Sequence, residues 1–518
     1  MESIIHSPGF YIALIIIIVL IRDIFIQKKH TVTHNFPLIG HFRYWLEQIG
    51  PEIRQYLIAN NREELPFNRG ERSWIYASSK SENNLTGFGS DLDFNTPGHL
   101  FLKNSINQFR PGKDHFTKKH PGNIPAAKVI GLSHNRKRPY RPNSIVNISG
   151  MSYGSLSAKA VESLNKGALL AGCYHNTGEG SISPYHEFGA DIVMNIGTSY
   201  FGVRDEDGNF SMEKLLEKVN KYPQLRAIEL KLSQGAKPGK GGMLPACKIN
   251  KEIAEIRGIP MGKDCYSPAY HTAFSTMEEM IDLIEEIAEK TGLPVGIKSA
   301  VGKLNEWDDL AKLMKKTGKG PDFITIDGGE GGTGAAPHSF TDHVSLPLQV
   351  AFPKVYQIFQ KHELSQDIFF IASGKLGFPE KTIMAMAMGA DSINIAREAM
   401  LSIGCIQAQK CHTNACPAGI ATNSKWLQAG INIPLKSERF YRYHFVLLKE
   451  INEITQAMGY EHPSLIKMED IDISVGINNK TESLKDVYGY EKSNIEFDGY
   501  DYIKKCSHRG SNAGRIEF

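Results

Sequence analysis

Residues 293–328, LPVGIKSAVGKLNEWDDLAKLMKKTGKGPDFITIDG, decide the fold. A short apolar run (Leu293–Ser299) ends in small residues, and EWDDLAKLMKK (306–316) follows with apolar residues at helical spacing. A second run (Asp322–Asp327) then ends in glycine. Short apolar runs on either side of an amphipathic stretch make one strand–helix–strand unit. Working outward, the same alternation gives strands at Ile145–Ser149, Cys173–Asn176, Asp191–Ile196, Arg226–Leu232, Ile368–Ser373 and Ser392–Ala396. Stretches such as SAKAVESLNKGALLAG (157–172) and MEEMIDLIEEIAEK (277–290) supply helices between them. Eight such strands over ~250 residues predict an α/β fold of the (β/α)8 TIM-type barrel class. An open doubly wound sheet is the runner-up, and the strand count favours the barrel.

The whole chain has 518 residues, enough for this barrel with segments on both sides. Its formal net charge of +3 carries no electrostatic footprint for nucleic acid, so no nucleic-acid partner is expected. Seven Cys in this length form no disulfide framework and point to a reducing compartment. No repeat of 20–50 residues is visible, which excludes solenoids and propellers.

Near the N-terminus, Phe10–Ile21 reads FYIALIIIIVLI, unbroken by any polar residue. With its flanks it approaches the ~20 residues that a spanning helix needs. Arg22, Lys28, Lys29 and His30 all follow the run, which predicts a single-pass cell-membrane anchor with the catalytic body in the cytoplasm. A cleaved signal would want positive charge before the run and an A-x-A site after it, and neither is present. The expected division is therefore an anchor (1–30), a mixed segment packing on the barrel with no long helical period (31–140), and the barrel (141–425). A helical segment and a polar tail ending in SHRGSNAGRI (507–516) complete it (426–518).

Four features carry chemistry. Cys405, Cys411 and Cys416 follow the eighth strand with spacing C-x5-C-x4-C, and Pro417 comes next. Three thiolates in so short a loop suit an iron–sulfur cluster of three irons, or of four irons with a ligand from elsewhere. Zinc would want CxxC pairs. Cys173, Cys247, Cys265 and Cys506 read as isolated thiols. The loops after strands seven and eight, with Gly374-Lys375 and Ala396-Arg397, lie where this barrel class binds phosphate.

After the sixth strand runs Asp327-Gly328-Gly329-Glu330-Gly331-Gly332-Thr333-Gly334. A formal G-x-G-x-x-G sits at 329, 331 and 334, but Ala-Ala-Pro follows instead of a helix, so the loop is read as lying against a flat cofactor. Finally, Lys231, Lys237 and Lys298 stand at strand ends, where an inward lysine needs an anion. Lys298 is the foremost of these, and Lys237 reads equally as a solvated rim lysine.

Taken in order, these pieces resemble the synthase domain of glutamate synthase. The segments are ISGMSYGSLSAKA (148–160), NTGEGS (176–181), KLSQGAKPGKGGMLP (231–245), GIKSAVG (296–302), GGTGAAP (331–337) and CHTNACPAGIATN (411–423). With NFPLIGHFRYWLEQIGPEIRQY (35–56), the chain resembles the stand-alone, membrane-anchored, FMN-binding members of that family.

The resemblance implies FMN, a [3Fe-4S] cluster on Cys405, Cys411 and Cys416, and reduction of 2-iminoglutarate to L-glutamate. Met151 and Ser152 would approach the flavin ring. Gly328, Gly329, Gly331, Gly332, Gly334, Gly374, Lys375, Ala396 and Arg397 would hold ribityl and phosphate. Lys298 and Lys231 would meet FMN or the carboxylates of 2-oxoglutarate, and Glu179 would serve the nitrogen side.

The loop DGGEGGTG departs from the family's SGHDGGTG-like stretch. The first cysteine is Cys173, so glutamine hydrolysis by an N-terminal cysteine is not expected of this chain. Ammonia or an amine would supply nitrogen, giving glutamate or an N-substituted glutamate. No FAD/NAD Rossmann unit is read, so a separate ferredoxin or NAD(P)H reductase subunit would supply electrons. The competing readings are an oxidoreductase for another 2-oxo or 2-hydroxy acid linked to membrane electron transfer, and a non-catalytic redox subunit.

Overall fold

A computed structural model of the chain describes residues 7–113, 115–119, 122–476, 478, 480–495 and 497. The expected tail motif at 507–516, Cys506 and His120 lie outside the described residues. The chain divides between Ser73 and Trp74 into two compact units.

The larger unit is built on a closed parallel barrel of eight strands. In chain order they are β1 (Val146–Ile148), β2 (His175–Asn176), β3 (Ile192–Ile196), β4 (Leu225–Lys231), β5 (Val295–Ser299), β6 (Phe323–Asp327), β7 (Phe369–Ser373) and β8 (Ser392–Ile395). All eight are the strands expected from sequence; seven are trimmed by a residue or two at one or both ends, and β4 is shifted one residue toward the N-terminus. Nearly every strand residue is buried, because helices cover the outside and side chains fill the inside.

Helix ends follow their side chains. Helix α1 (Ala158–Ala171) begins where Ser157 Oγ accepts the amide of Ala160 at 3.2 Å, and ends at Gly172 with φ 68°. Helix α2 (Met277–Thr291) starts with a reciprocal box: Thr276 Oγ1 accepts the Glu279 amide and the Glu279 carboxylate accepts the Thr276 amide. The expected C-terminal helix is α3 (Ile433–Ala457), which packs along α1. Gly167 lets the two approach, since a Cβ there would lie 2.9 Å from the Phe440 ring and from the Ser437 carbonyl oxygen.

Residues alternate in and out along each strand, so the interior is layered. The floor is an apolar cluster of Tyr174, Val193, Ala227, Phe323, Phe369 and Ile371, closed from below by Ala126, Ile130 and Tyr140. Two residues further along the same faces come Asn176, Asn195, Glu229 and Thr325. Two further again come Lys231 and Asp327, level with Ser373. The barrel therefore turns from apolar to charged toward its C-terminal mouth.

His186, His444 and His462 are fully buried in this unit. Burial holds their imidazoles down to about 4, 4 and 3, against backbone carbonyl hydrogen bonds that pull the other way. An unfolded chain takes up these protons near pH 6.5 and the folded one does not, so acidification below 6.5 favours unfolding. At pH 5 the expected cost is about 2 kcal/mol per histidine. The urea midpoint should fall between pH 6.5 and 4, with a shallower slope in His462→Gln.

The smaller unit corrects one expectation. Residues 31–140 were read as lacking a long helix, yet Ile39–Ile53 is helical and continues to Ile58, and Arg69–Lys80 forms another helix across the division. Gly40, Gly50 and Pro51 dilute the pattern without breaking it. Ahead of these, Pro8–Ile21 and its continuation to Ile26 make a 19-residue helix long and apolar enough to cross a membrane.

Candidate active site at the barrel mouth

Glu229 on β4 sits above the apolar floor, 1% exposed. Asn176 Nδ2 and Asn195 Nδ2 donate to its Oε2 at 2.8 and 2.6 Å, and Thr325 Oγ1 donates to its Oε1 at 2.7 Å. A buried carboxylate with this many donors is held rigidly. The sequence reading missed Glu229. The signal was there: it stands two residues before Lys231, so a period-2 strand puts both on one face.

Lys298 is the register partner of Lys231 on the neighbouring strand and lies one layer above Glu229. Its Nζ is 3.4 Å from Asp327 Oδ1, and both side chains are buried. Burial alone would pull the Lys298 ammonium down, but Asp327 and Glu229 outweigh it and hold the group above the ordinary lysine range. Asp327 is fixed in turn by Ser373 Oγ and the Gly235 amide, each donating at 2.8 Å.

The second charged group centres on Glu179. Lys231 Nζ stands 3.1 Å from Glu179 Oε2 and Lys237 Nζ stands 3.7 Å from Oε1. Burial would push the Glu179 carboxyl up, yet the two ammoniums bring it down to about 2. Lys237 is 3% exposed, so it is no rim lysine. Burial lowers its pKa against the pull of Glu179, which makes it a readier proton source than a surface lysine. Gly197 and Gly242 leave room for this carboxylate: a Cβ on either would lie within about 3 Å of a Glu179 oxygen. A cleft of about 20 Å³ lies between Glu179, Thr198, Lys231 and Lys237, room for one molecule the size of water or ammonia.

The glycine loop after β6 holds a second residue missed from sequence. The Glu330 carboxylate accepts the Leu348 amide at 2.9 Å, at the start of α4 (Leu348–Lys361). It fills the space that Cβ atoms on Gly328 or Gly374 would need. Arg397 Nη2 donates to the Glu330 carbonyl at 2.5 Å, and its stem lies across Gly332. Gly328, Gly332, Gly374 and Arg397 are thus gathered in one place, and Lys375 adjoins Gly374 with φ 54°. Bare backbone with cations around it, next to Lys298, suits an anionic cofactor such as FMN. Met151 and Ser152 are buried just beyond β1, where the Ser152 amide lies 2.8 Å from where a Cβ on Gly178 would be.

Cys405, Cys411 and Cys416 lie on the loop after the short helix Arg397–Ser402. Burial pushes the Cys405 thiol up to about 12, and Cys411 and Cys416 add to the shift as near neighbours. Tyr76 Oη donates to the Cys405 carbonyl at 2.8 Å and Lys248 Nζ to the Cys411 carbonyl at 2.8 Å, which pins the loop at its start and its middle. Asn414 Nδ2 donates to the Cys247 carbonyl at 3.0 Å, so Cys247 is not the isolated residue that its place in the chain suggests. Among the described residues no three ligating side chains converge as one metal ion would require. A cluster distributes its thiolates over different irons, and three cysteines on one loop are the donor chemistry that such a cluster uses. A Cβ on Gly334 would lie 3.3 Å from Cys411 Cβ, so the cysteine loop packs directly on the glycine loop.

The family described as the conserved region in glutamate synthase matches residues 107–461, which include all of these groups except Tyr76. The chain belongs to the glutamate synthase family. It is 40% identical over 511 residues to the glutamate synthase large subunit-like protein YerD of Bacillus subtilis, covering 91% of this chain and 96% of that one. It is 34% identical over 317 residues to the archaeal-type glutamate synthase [NADPH] of Thermotoga maritima, covering 61% of this chain and 59% of that protein. Against the ferredoxin-dependent glutamate synthase of Pyropia yezoensis it is 30% identical over 366 residues, 64% of this chain and 23% of that one. As a glutamate-synthase-like protein, this chain is an oxidoreductase of the class that acts on CH–NH2 groups.

Proposed function

We propose that this glutamate-synthase-like oxidoreductase binds FMN and an iron–sulfur cluster and reduces 2-iminoglutarate, formed from 2-oxoglutarate and ammonia or an amine, to L-glutamate or an N-substituted glutamate. The observation that carries this reading is the convergence of Lys298, Lys231 and Lys237 at the barrel mouth, where Asp327 and Glu179 pair with them among the described residues and Glu229 lies one layer below Lys298. A dianionic 2-oxo acid is the complement of such a site. When bound, the flavin supplies hydride to an imine carbon and the cluster supplies single electrons.

Lys298 would hold the cofactor ring or the substrate's near carboxylate, and Lys231 the far one. Lys237 would give its proton to the product nitrogen, while Glu179 and the small cleft beside it receive ammonia. Gly328, Gly329, Gly331, Gly332, Gly334, Gly374, Lys375, Ala396 and Arg397 would line ribityl and phosphate, with Met151 and Ser152 near the ring. Cys405, Cys411 and Cys416 would hold the cluster, with three irons as the simplest match to three thiolates.

Electrons would come from a separate protein, a ferredoxin or an NAD(P)H reductase subunit; the relatives' names print NADPH and ferredoxin. The 8–26 helix would anchor the enzyme in the cell membrane with its body in the cytoplasm, as the cations after the helix favour. On this reading 1–30 anchors, 31–140 supports, 141–425 catalyses and 426–518 braces the barrel.

The test is anaerobic. Dithionite-reduced protein is titrated with 2-oxoglutarate and ammonium while flavin absorbance is followed and glutamate assayed. Reoxidation that needs both compounds and yields glutamate is the expected result. Reoxidation by a different 2-oxo acid, with 2-oxoglutarate inert, would replace the substrate. In the same preparation Cys411→Ser should lose the cluster's visible absorbance and bound iron while keeping its far-UV circular dichroism; unchanged iron would remove Cys411 from the ligand set.

A further inference from the structure

The helix from Ile39 to Ile58 carries an apolar face that is largely exposed among the described residues, with Ile49 and Ile53 half-buried. Ile39, Phe42, Leu46, Ile49, Ile53 and Leu57 recur at intervals of three and four, on one side of the helix. Ile39 is 78% exposed, Phe42 59% and Leu57 80%. Trp45 and Tyr56 flank this stripe, both more than half exposed. Glu47, Gln48 and Gln55 lie away from the stripe, and Arg43, at its edge beside Phe42 and Leu46, pairs with Glu47 at 3.1 Å. Large apolar side chains scattered singly over a surface are ordinary, but a continuous stripe of this length marks an interaction face.

A clamp fixes this helix against the end of the apolar 8–26 helix. Asp23 is fully buried; its Oδ2 lies 2.7 Å from His41 Nε2 and accepts the Leu38 amide at 3.3 Å. Gln27 Nε2 bridges the Asp23 and His30 carbonyls at 3.1 and 3.0 Å. Gly40 packs onto the intervening turn, where a Cβ would come within 2.8 Å of Thr33 Cα. An apolar cleft of about 400 Å³, lined by Val32, Phe36, Ile39, Phe42 and Leu46, continues the stripe toward that junction.

We propose that residues 36–58 form an in-plane helix lying in the headgroup region of an anionic bilayer, directly beside the point where the 8–26 helix leaves it. Three observations select lipid as the occupant. The stripe begins at Ile39, one short connecting segment after the helix that is apolar enough to span, and the Asp23 clamp ties the two together. Its edges carry Trp and Tyr, the residues suited to the headgroup boundary. Lys28, Lys29, Arg43 and Arg54 outnumber Glu47 and Glu52 in residues 28–58, and the excess lies in Lys28 and Lys29 next to the spanning helix, complementary to anionic headgroups.

The inference rests on the anchoring reading above, and one experiment separates the two. The full chain is reconstituted into vesicles of phosphatidylcholine and phosphatidylglycerol with brominated acyl chains, and flotation and tryptophan emission are both measured. Trp45 is one of four tryptophans, so Trp45→Phe isolates its signal. The expected result is flotation with a bromine-quenched component that disappears in Trp45→Phe and weakens in Phe42→Asp/Ile49→Asp. Flotation with no quenched component, or with one that survives in Trp45→Phe, overturns the in-plane helix and leaves the anchor standing. A chain that does not float overturns both.

Discussion

Lys298→Met is expected to abolish turnover and to destabilise the barrel together. The ammonium is buried and faces Asp327 at 3.4 Å, with Glu229 one layer below. Methionine fills the same volume, so packing is kept and charge alone is removed. Asp327 then keeps only its bonds from Ser373 and Gly235, and Glu229 only its three neutral donors. Removing one partner of a buried ion pair typically costs about 3–5 kcal/mol, and loss of one preorganised charge at a reacting centre costs about 10²–10³ in rate.

The two effects are separable. Lys298→Met/Asp327→Asn should recover part of the lost stability, because Asp327 is then neutral and Glu229, one layer below, is the carboxylate that still lacks its cation. It should recover none of the turnover. Urea denaturation and the flavin-reoxidation assay on the single and double variants check this. Near-normal kinetics in the single variant would return Lys298 to a purely structural role.

The barrel was legible because a parallel sheet covered on both faces turns each strand into an unbroken apolar run with small residues at its end. VNI, FITID and FFIAS stand out from amphipathic neighbours for that reason. The cysteine set was legible for a different one: all three ligand candidates lie on a single loop, so spacing along the chain is spacing in space. Cys247 and Lys248 reach the same loop from far away in sequence, and no local pattern announces that.

Glu229 and Glu330 were passed over because their importance is a matter of register. A lone glutamate in IELKLS looks like a surface residue until its strand is assigned an inward face, and only then does it align beneath Lys231. Glu330 was quoted as part of a glycine loop, but its side chain acts through the first turn of α4, which the loop reaches only after folding. The helix at 39–58 was lost to Gly40, Gly50 and Pro51, which count against a helix by propensity. Its stripe of apolar residues is nonetheless regular. Where local propensity and periodicity disagree, periodicity described this segment better.

Glu179→Gln tests the second charged group. The folded carboxyl titrates at about 2 against an ordinary value of 4.5, so its contribution to stability is complete above pH 4.5 and disappears as pH falls through 2. The interval corresponds to about 3 kcal/mol at neutral pH. Glutamine keeps the shape but carries an amide that accepts from one lysine and turns a donor toward the other. Lys231 and Lys237 are left as facing cations, and Lys237, already lowered by burial, should lose its proton at a still lower pH.

At pH 7 the variant should therefore unfold about 2–4 kcal/mol more easily than the parent. The difference should shrink as both are taken from pH 4.5 toward 2, because acid removes in the parent what the substitution has already removed. In turnover, KM for ammonium should rise while KM for 2-oxoglutarate changes little, since the small cleft beside Glu179 receives the nitrogen and Lys298 is untouched. A stability difference that stays constant down to pH 2 would mean that Glu179 is not held by the two lysines in solution. A change confined to the 2-oxoglutarate KM would move Glu179 from the nitrogen side of the site to the acid side.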